Sequence, residues 1–261
     1  MSDLPPVLVY LVVCLVPAAL WLWWIRRQDV YEPEPVSLIL RTFASGMLAA
    51  VGAVLLEQLL IRVLISGDSV LKYNPQTGTL AETLIYCFLV VAPVEEYLKY
   101  RVVRSGAFES PEFNEPMDGI VYMSSAAIGF ATLENTLYMT GFGAWVLALR
   151  MMLSSFLHIA CLAILGYYLG LIRFNPGREQ RLLWRGFFWA ILLHGAYDFL
   201  ALYQPIAGLG ALMLLLTVLF FLRQRFLREI QQALARSPFK PRRTLLPRRG
   251  SRPLPAVEPK A

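Results

Sequence analysis

The chain has 261 residues, of which 57% are hydrophobic and 16% charged, with a net charge of +6 and a mean hydropathy of +0.54. Soluble domains carry roughly a quarter charged residues, so this composition excludes an ordinary water-soluble domain and indicates a polytopic membrane protein. The positive balance does not indicate nucleic-acid binding, because 11 of the 24 Lys and Arg residues lie beyond Leu222, where only Glu229 and Glu258 oppose them.

Seven apolar runs approach or exceed the roughly 20 residues needed to cross a hydrocarbon core of about 30 Å. They cover residues 6–25, 39–64, 80–98, 117–138, 145–172, 186–203 and 206–222. The expected fold is therefore an all-α transmembrane helix bundle of about seven spans. The first run ends in "WLWWIRR" rather than at a small-residue cleavage site, so it reads as a span with a Trp anchor at the interface and not as a signal peptide. Loops after the first, third and fifth runs carry Arg26 and Arg27, then Lys99, Arg101 and Arg104, then Arg173, Arg178, Arg181 and Arg185. Those after the second, fourth and sixth carry only Lys72. This bias puts the N-terminus outside and the C-terminus in the cytoplasm. The longest inner loop, 100–116, has the composition of a turn-rich segment. Residues 1–222 form the expected bundle, with a functional core in about 80–203. Residues 223–261 form a basic, Pro-rich tail without the apolar residues to build a core, and such a tail suits anionic lipid headgroups. The cysteines, Cys14, Cys87 and Cys161, all fall inside apolar runs and are expected to pack rather than to bond or bind metal.

Ionisable groups at bilayer depth cost at least ~2.5 kcal/mol each on insertion scales, so their positions carry information. The third run ends in "VAPVEEYLKY", which puts Glu95 and Glu96 one helical turn before Lys99. The plain alternative there is an interfacial ion pair with Lys99 snorkelling to the headgroups. Pro93 offers a kink just before the pair. The fourth run contains "FATLENTLY", with Glu134 and Asn135 deep in the span and Phe130, Glu134 and Tyr138 on one face. In the fifth, Arg150, Ser154 and His158 recur every four residues, and the stripe continues through Leu162, Gly166 and Gly170, small enough for close helix approach. The sixth contains "HGAYD", with His194 and Asp198 one turn apart. Both histidines of the chain thus lie in predicted spans, and four successive spans supply the walls of one polar chamber. Counting 1.5 Å per residue leaves a difficulty. Straight helices would hold Glu134 about 25 Å from the inner end of its span and Glu95 about 5 Å from its own. A longer third helix, reaching Arg104, narrows that gap.

Two chemistries fit such a chamber. A glutamate can act as general base while His and Asn stabilise an oxyanion, or two His and one carboxylate can hold Zn²⁺ with an open position. Both yield a hydrolytic nucleophile inside the bilayer. A proton-coupled transporter or channel and a non-catalytic membrane scaffold are the alternatives.

The ordered set "EEYLK", "FATLEN", an intramembrane His and "HGAYD" resembles the PrsW family of bacterial intramembrane proteases, distantly related to the CAAX-processing and bacteriocin-immunity membrane proteases. The resemblance covers about Val91–Asp198. It implies catalytic roles for Glu95, Glu96, Glu134, Asn135, His158, His194 and Asp198. It also implies a membrane-anchored protein substrate, such as an anti-sigma factor, and a place in the bacterial inner membrane. Whether a metal is used is left open by the motif; if one is, His158, His194 and Glu95 are the expected ligands and zinc the expected ion. Of the two adjacent glutamates one is expected to activate water and the other to stay protonated or orient a partner.

Overall fold

A helix that is apolar all round has to sit among other helices or in lipid, and the fold sorts its helices between those two environments. The computed structural model describes residues 6–66, 78–142, 150, 153–203, 206 and 208–241. The regular elements among them are all helical. They are α1 (Pro6–Gln28), α2 (Val36–Ile61, prolonged by a wide turn over Arg62–Ser66), α3 (Leu80–Ile85), α4 (Ala92–Arg104), a short 3₁₀ turn (Ala107–Glu109), α5 (Pro116–Phe142), α6 (Ser154–Arg173), α7 (Glu179–Leu202) and α8 (Leu209–Ala235). By length and composition α1, α2, α6 and α8 are able to cross a membrane. Helices α5 and α7 are as long, but Glu134, Asn135, His194 and Asp198 dilute their apolar character.

The centre is the pair α5 and α6. Every residue of α5 from Pro116 to Thr132 is buried, as are sixteen of the twenty in α6. Their crossing depends on missing side chains. A Cβ on Gly119 would overlap the backbone of Gly166, one on Gly166 that of Gly119, and one on Gly170 that of Pro116. The expected small-residue stripe of α6 is therefore a backbone-to-backbone contact. On its other side α5 meets α2 in the same way, through Gly46 against Ala126 and Gly129 against Phe43. Lipid gives helices no hydrophobic reason to associate, so close van der Waals approach of this kind is what holds them.

Helices α3 and α4 are one rod with a wide turn, Tyr86–Val91, between them. Pro93 has no N–H to give and crowds the carbonyl one turn earlier. The preceding turn widens to accommodate it, so that the Ala92 N–H reaches back five residues to the Cys87 carbonyl. The start of α3 is fixed by a capping box. Thr79 Oγ1 accepts from the Glu82 N–H at 3.3 Å, and the Glu82 carboxylate accepts the Thr79 N–H at 2.7 Å.

Two boundaries differ from those expected. Helix α4 runs on to Arg104, so the inner loop starts later than residue 100. Helix α8 runs past residue 222 to Ala235, because Leu222, Phe226, Ile230 and Ala233 form a buried stripe at helical spacing. Phe226 packs on Trp24 and Phe156, with ring centroids 5.7 and 6.3 Å away. The remaining tail, 242–261, lies outside the described residues, as do residues 143–149, 151 and 152 around the start of the expected fifth span. The cysteines are free and buried, as expected.

The glycine contacts give a direct test. Gly166→Val should lower unfolding stability in detergent by at least about 1–3 kcal/mol through overpacking. Gly210→Ala, where an added Cβ meets nothing within 4 Å, should leave it unchanged or slightly raised.

Candidate active site

The wide turn before α4 brings both glutamates into the bundle. Glu95 and Glu96 are 5% and 0% exposed, and Lys99 is 0% exposed. The Lys99 ammonium donates to Glu95 Oε2 at 2.9 Å and to Glu96 Oε1 at 3.1 Å. It also lies 2.9 Å from His158 Nδ1 on α6 and 4.2 Å above the centre of the Phe130 ring on α5. The interfacial alternative therefore fails: Lys99 does not snorkel outward, and it does not belong among the loop charges that set orientation.

Around this centre each histidine has a carboxylate on one nitrogen and turns the other toward Glu95. His158 Nε2 is 2.8 Å from Glu134 Oε2, and its Nδ1 is 3.6 Å from Glu95 Oε2. His194 Nδ1 is 2.7 Å from Glu96 Oε1, and its Nε2 is 3.8 Å from Glu95 Oε2. The rings stand edge to face, 5.0 Å apart. A carboxylate that accepts the hydrogen bond of one ring N–H orients the ring and favours one tautomer; the other nitrogen of His158 faces the Lys99 ammonium. Asp198, the expected partner of His194, approaches its Nε2 to 3.3 Å. Glu134 is also held by Arg150 at 2.9 Å. Arg150 further donates to Asn135 Oδ1 at 2.9 Å and to Ser154 Oγ at 3.0 Å, and Asn135 donates to Ser155 Oγ at 2.9 Å. Asn135 thus braces the arginine and stands outside the cavity.

All seven residues singled out in the sequence are therefore joined in one network. The depth problem resolves in the connector. Helix α5 begins at Pro116, so Glu134 stands about 27 Å along it, while Glu95 stands about 14 Å from the end of α4. The segment between the helices absorbs the difference, and the His158 ring bridges the two carboxylates.

Glu95, His158, His194, Glu134 and Asp198 face a cavity of about 260 Å³, while Glu96 and Lys99 lie behind its wall. Sequence reasoning missed Glu57, which lines the same cavity from α2, along with the rings of Tyr86 and Tyr197. The signal for Glu57 was present: it is a lone carboxylate in "VLLEQLL", in the middle of an apolar run. Five carboxyls (Glu57, Glu95, Glu96, Glu134 and Asp198) thus stand against two permanent cations, Lys99 and Arg150. Bound protons, imidazolium or a divalent cation would offset the excess.

One ligand atom each from Glu95, His158 and His194 lies within 4.8 Å of the others, and all three residues are buried. Two imidazoles with one carboxylate, each imidazole backed by a further carboxylate, suit zinc. Lys99 is the competitor, since its ammonium already holds two of the three donor atoms.

Fold and site together define a helical membrane protein with a buried centre of carboxylates and imidazoles between its helices. A family model described as PrsW family intramembrane metalloprotease matches residues 34–223, and the chain belongs to that family. It is 33% identical over 186 residues to the protein named Protease PrsW from Geobacillus kaustophilus (strain HTA426), covering 71% of this chain and 76% of the relative. It is 31% identical over 188 residues to Protease PrsW from Bacillus subtilis (strain 168), covering 71% and 79%. Protease PrsW from Clostridioides difficile (strain 630) is 29% identical over 196 residues, covering 73% and 78%. No solved structure matches the chain. The protein is a membrane protease. The match extends beyond the Val91–Asp198 motifs and takes in α2 with Glu57.

Lys99 is the most consequential side chain for stability here. Lys99→Met leaves two buried carboxylates uncompensated and should cost about 3–5 kcal/mol in detergent unfolding. Adding Glu96→Gln to it should recover part of that loss, so the double variant is less destabilised than the sum of the two single changes.

Proposed function

We propose that the chain is an intramembrane endopeptidase that hydrolyses a peptide bond in or next to the membrane segment of another membrane protein. The observation that carries this is the convergence of His158 Nδ1 and His194 Nε2 on Glu95 at 3.6 and 3.8 Å, at the wall of a cavity. Glu95 is the general base. It faces the cavity, where it takes a proton from water and returns it to the leaving amine. Glu96 is a positioning residue: it holds His194 in one tautomer and shares Lys99 with Glu95. Glu134, Arg150 and Asn135 hold His158 in the same way. Asp198 limits rotation of His194 from the cavity side.

In a metal-dependent version of the reaction Glu95, His158 and His194 are the residues that would hold a zinc ion, and Glu95 would then be a ligand in place of acting as the base. When bound, zinc supplies Lewis-acid polarisation and lowers the pKa of a bound water toward ~7. Lys99 would then release His158 Nδ1 while keeping Glu96. A peptide in helical form has its backbone groups internally bonded, so the bond cut lies where the substrate helix ends or unwinds. By its family, an anti-sigma factor is the substrate class to try first.

The seven helical passes, counting α3 and α4 as one, are proposed to span the bacterial inner membrane. The N-terminus lies outside and the C-terminus in the cytoplasm, on the strength of the arginines that close α1, α4 and α6. Residues 1–222 contain the bundle and about 80–203 the catalytic core. The basic segment beyond, outside the part of α8 that packs, lies against anionic headgroups.

The test is cleavage of a labelled single-span substrate by purified protein in liposomes. Glu95→Gln should lower the rate by about 10²–10⁴-fold, with large losses also in His158→Ala and His194→Ala. Loss of wild-type activity to a tight chelator, restored by zinc, would assign a metal mechanism, and insensitivity to the chelator a metal-free one. Undiminished cleavage by all three variants would rule out this site as the catalytic centre.

A further inference from the structure

A second group of buried carboxylates lies at the other end of α5, about 24 Å along the helix from Glu134. Asp29 and Glu34 stand in the connector between α1 and α2. Asp118 stands in the first turn of α5, with Glu115 just before it. All four are buried, at 0–3% exposure. One oxygen each of Asp29, Glu34 and Asp118 lies within 4.8 Å of the others.

Hydrogen bonds account for only part of this group. Glu34 accepts from the Tyr122 hydroxyl, and Asp118 Oδ2 accepts the N–H of Glu115 at 2.7 Å. Asp29 meets Glu115 side chain to side chain, as Glu34 meets Asp118, and apart from contacts with the Glu32 backbone and Ser237 the oxygens of Asp29 and Glu115 and Oδ1 of Asp118 have no well-formed donor. No Lys or Arg forms an ion pair with any of the four among the described residues. Arg26, the nearby cation, gives its Nε–H to the backbone carbonyl of Glu34, not to the carboxylate. Burial, with hydrogen bonding to and repulsion by the neighbouring acids added, raises Asp29 and Glu34 well above the usual carboxylate range. Among the described residues, four acids are gathered here with no positive charge paired to them.

We propose that Asp29, Glu34 and Asp118 hold a hard divalent cation, Ca²⁺ or Mg²⁺, that fastens the α1–α2 connector to the start of α5. The donor set is all oxygen, which selects these ions over zinc. Glu115 stands beside the set, in side-chain contact with Asp29. This site contains no histidine, shares no residue with the Glu95 centre and does not depend on the proposed catalysis.

The experiment uses the full-length protein in detergent, stripped with EDTA and titrated calorimetrically with CaCl₂ and, separately, with MgCl₂. Wild type should bind one saturable equivalent, and the unfolding temperature should rise with the ion. The double variant His158→Ala/His194→Ala should bind it equally, which separates this site from the histidine centre. Asp29→Asn and Glu34→Gln should weaken binding by at least ~10-fold. Asp29→Asn is close to isosteric and keeps an oxygen for the Glu32 backbone contact, and so provides a folded variant even if Glu34→Gln does not. Whichever salt binds identifies the ion. The proposal is overturned if neither salt binds saturably to wild type, if Asp29→Asn binds as wild type does, or if binding disappears with the histidines. It is equally overturned if Asp29→Asn raises the unfolding temperature while no ion binds, since the cluster would then be a proton-sharing one.

Discussion

The buried ammonium of Lys99 is the interaction on which the site depends. Two adjacent glutamates on one helix cannot both be ionised inside a bundle unless a cation is held between them, and Lys99, one turn further on, reaches both. Desolvating three charged groups is expensive, and the cost is recovered only if every hydrogen bond is made. The ammonium has three N–H bonds to give, and Glu95, Glu96 and His158 take one each. Arginine could not substitute, because a planar fork does not place three donors on three converging acceptors.

That one contact also links helices. Lys99 belongs to α4 and His158 to α6, while Glu96 reaches His194 on α7 and His158 reaches Glu134 on α5. The chain of charge-assisted bonds therefore passes through four helices without leaving the bundle interior. It is possible only because the α5–α6 and α2–α5 crossings are closed to backbone contact by glycine. Polar bonds set the register between helices, and glycine sets their distance. Neither alone would bring an imidazole within hydrogen-bond reach of two carboxylates on separate helices.

Much of this was legible in the sequence, for a physical reason. Lipid makes a buried charge so costly that each one in an apolar run marks a site, and Glu95, Glu96, Glu134, His158, His194 and Asp198 all converge as their spans implied. The stripe of Leu162, Gly166 and Gly170 was readable on the same grounds. The burial of Lys99 was not, because a lysine near the end of a span fits snorkelling equally well until the direction of its helix is known. The meeting of Glu134 with Glu95 depended on the path of the 105–115 connector, and turn-rich segments carry no depth signal. The carboxylate cluster was hidden because Asp29 and Glu34 sit in a loop, where acids are usual, and only the fold carries them under Asp118 and Tyr122. The extent of α8 was missed because its arginines resemble a tail, although the apolar stripe of Phe226, Ile230 and Ala233 runs between them.

The position of Glu95 constrains the form in which a substrate can reach it. Its carboxylate lies at a cavity wall shared by α2, α5, α6 and α7, each packed closely on a neighbour. A substrate helix is about 10 Å across with its side chains and keeps its amides bonded within itself. To bring a carbonyl carbon to Glu95 as a helix it would have to part elements joined by backbone contact. An extended segment is narrower, and its carbonyl groups have lost their internal donors. Tyr197 and Glu57 also line that wall. On the proposed endopeptidase reading, a wall that is polar along this side suits the unpaired amides of an unwound strand better than the apolar surface of an intact helix.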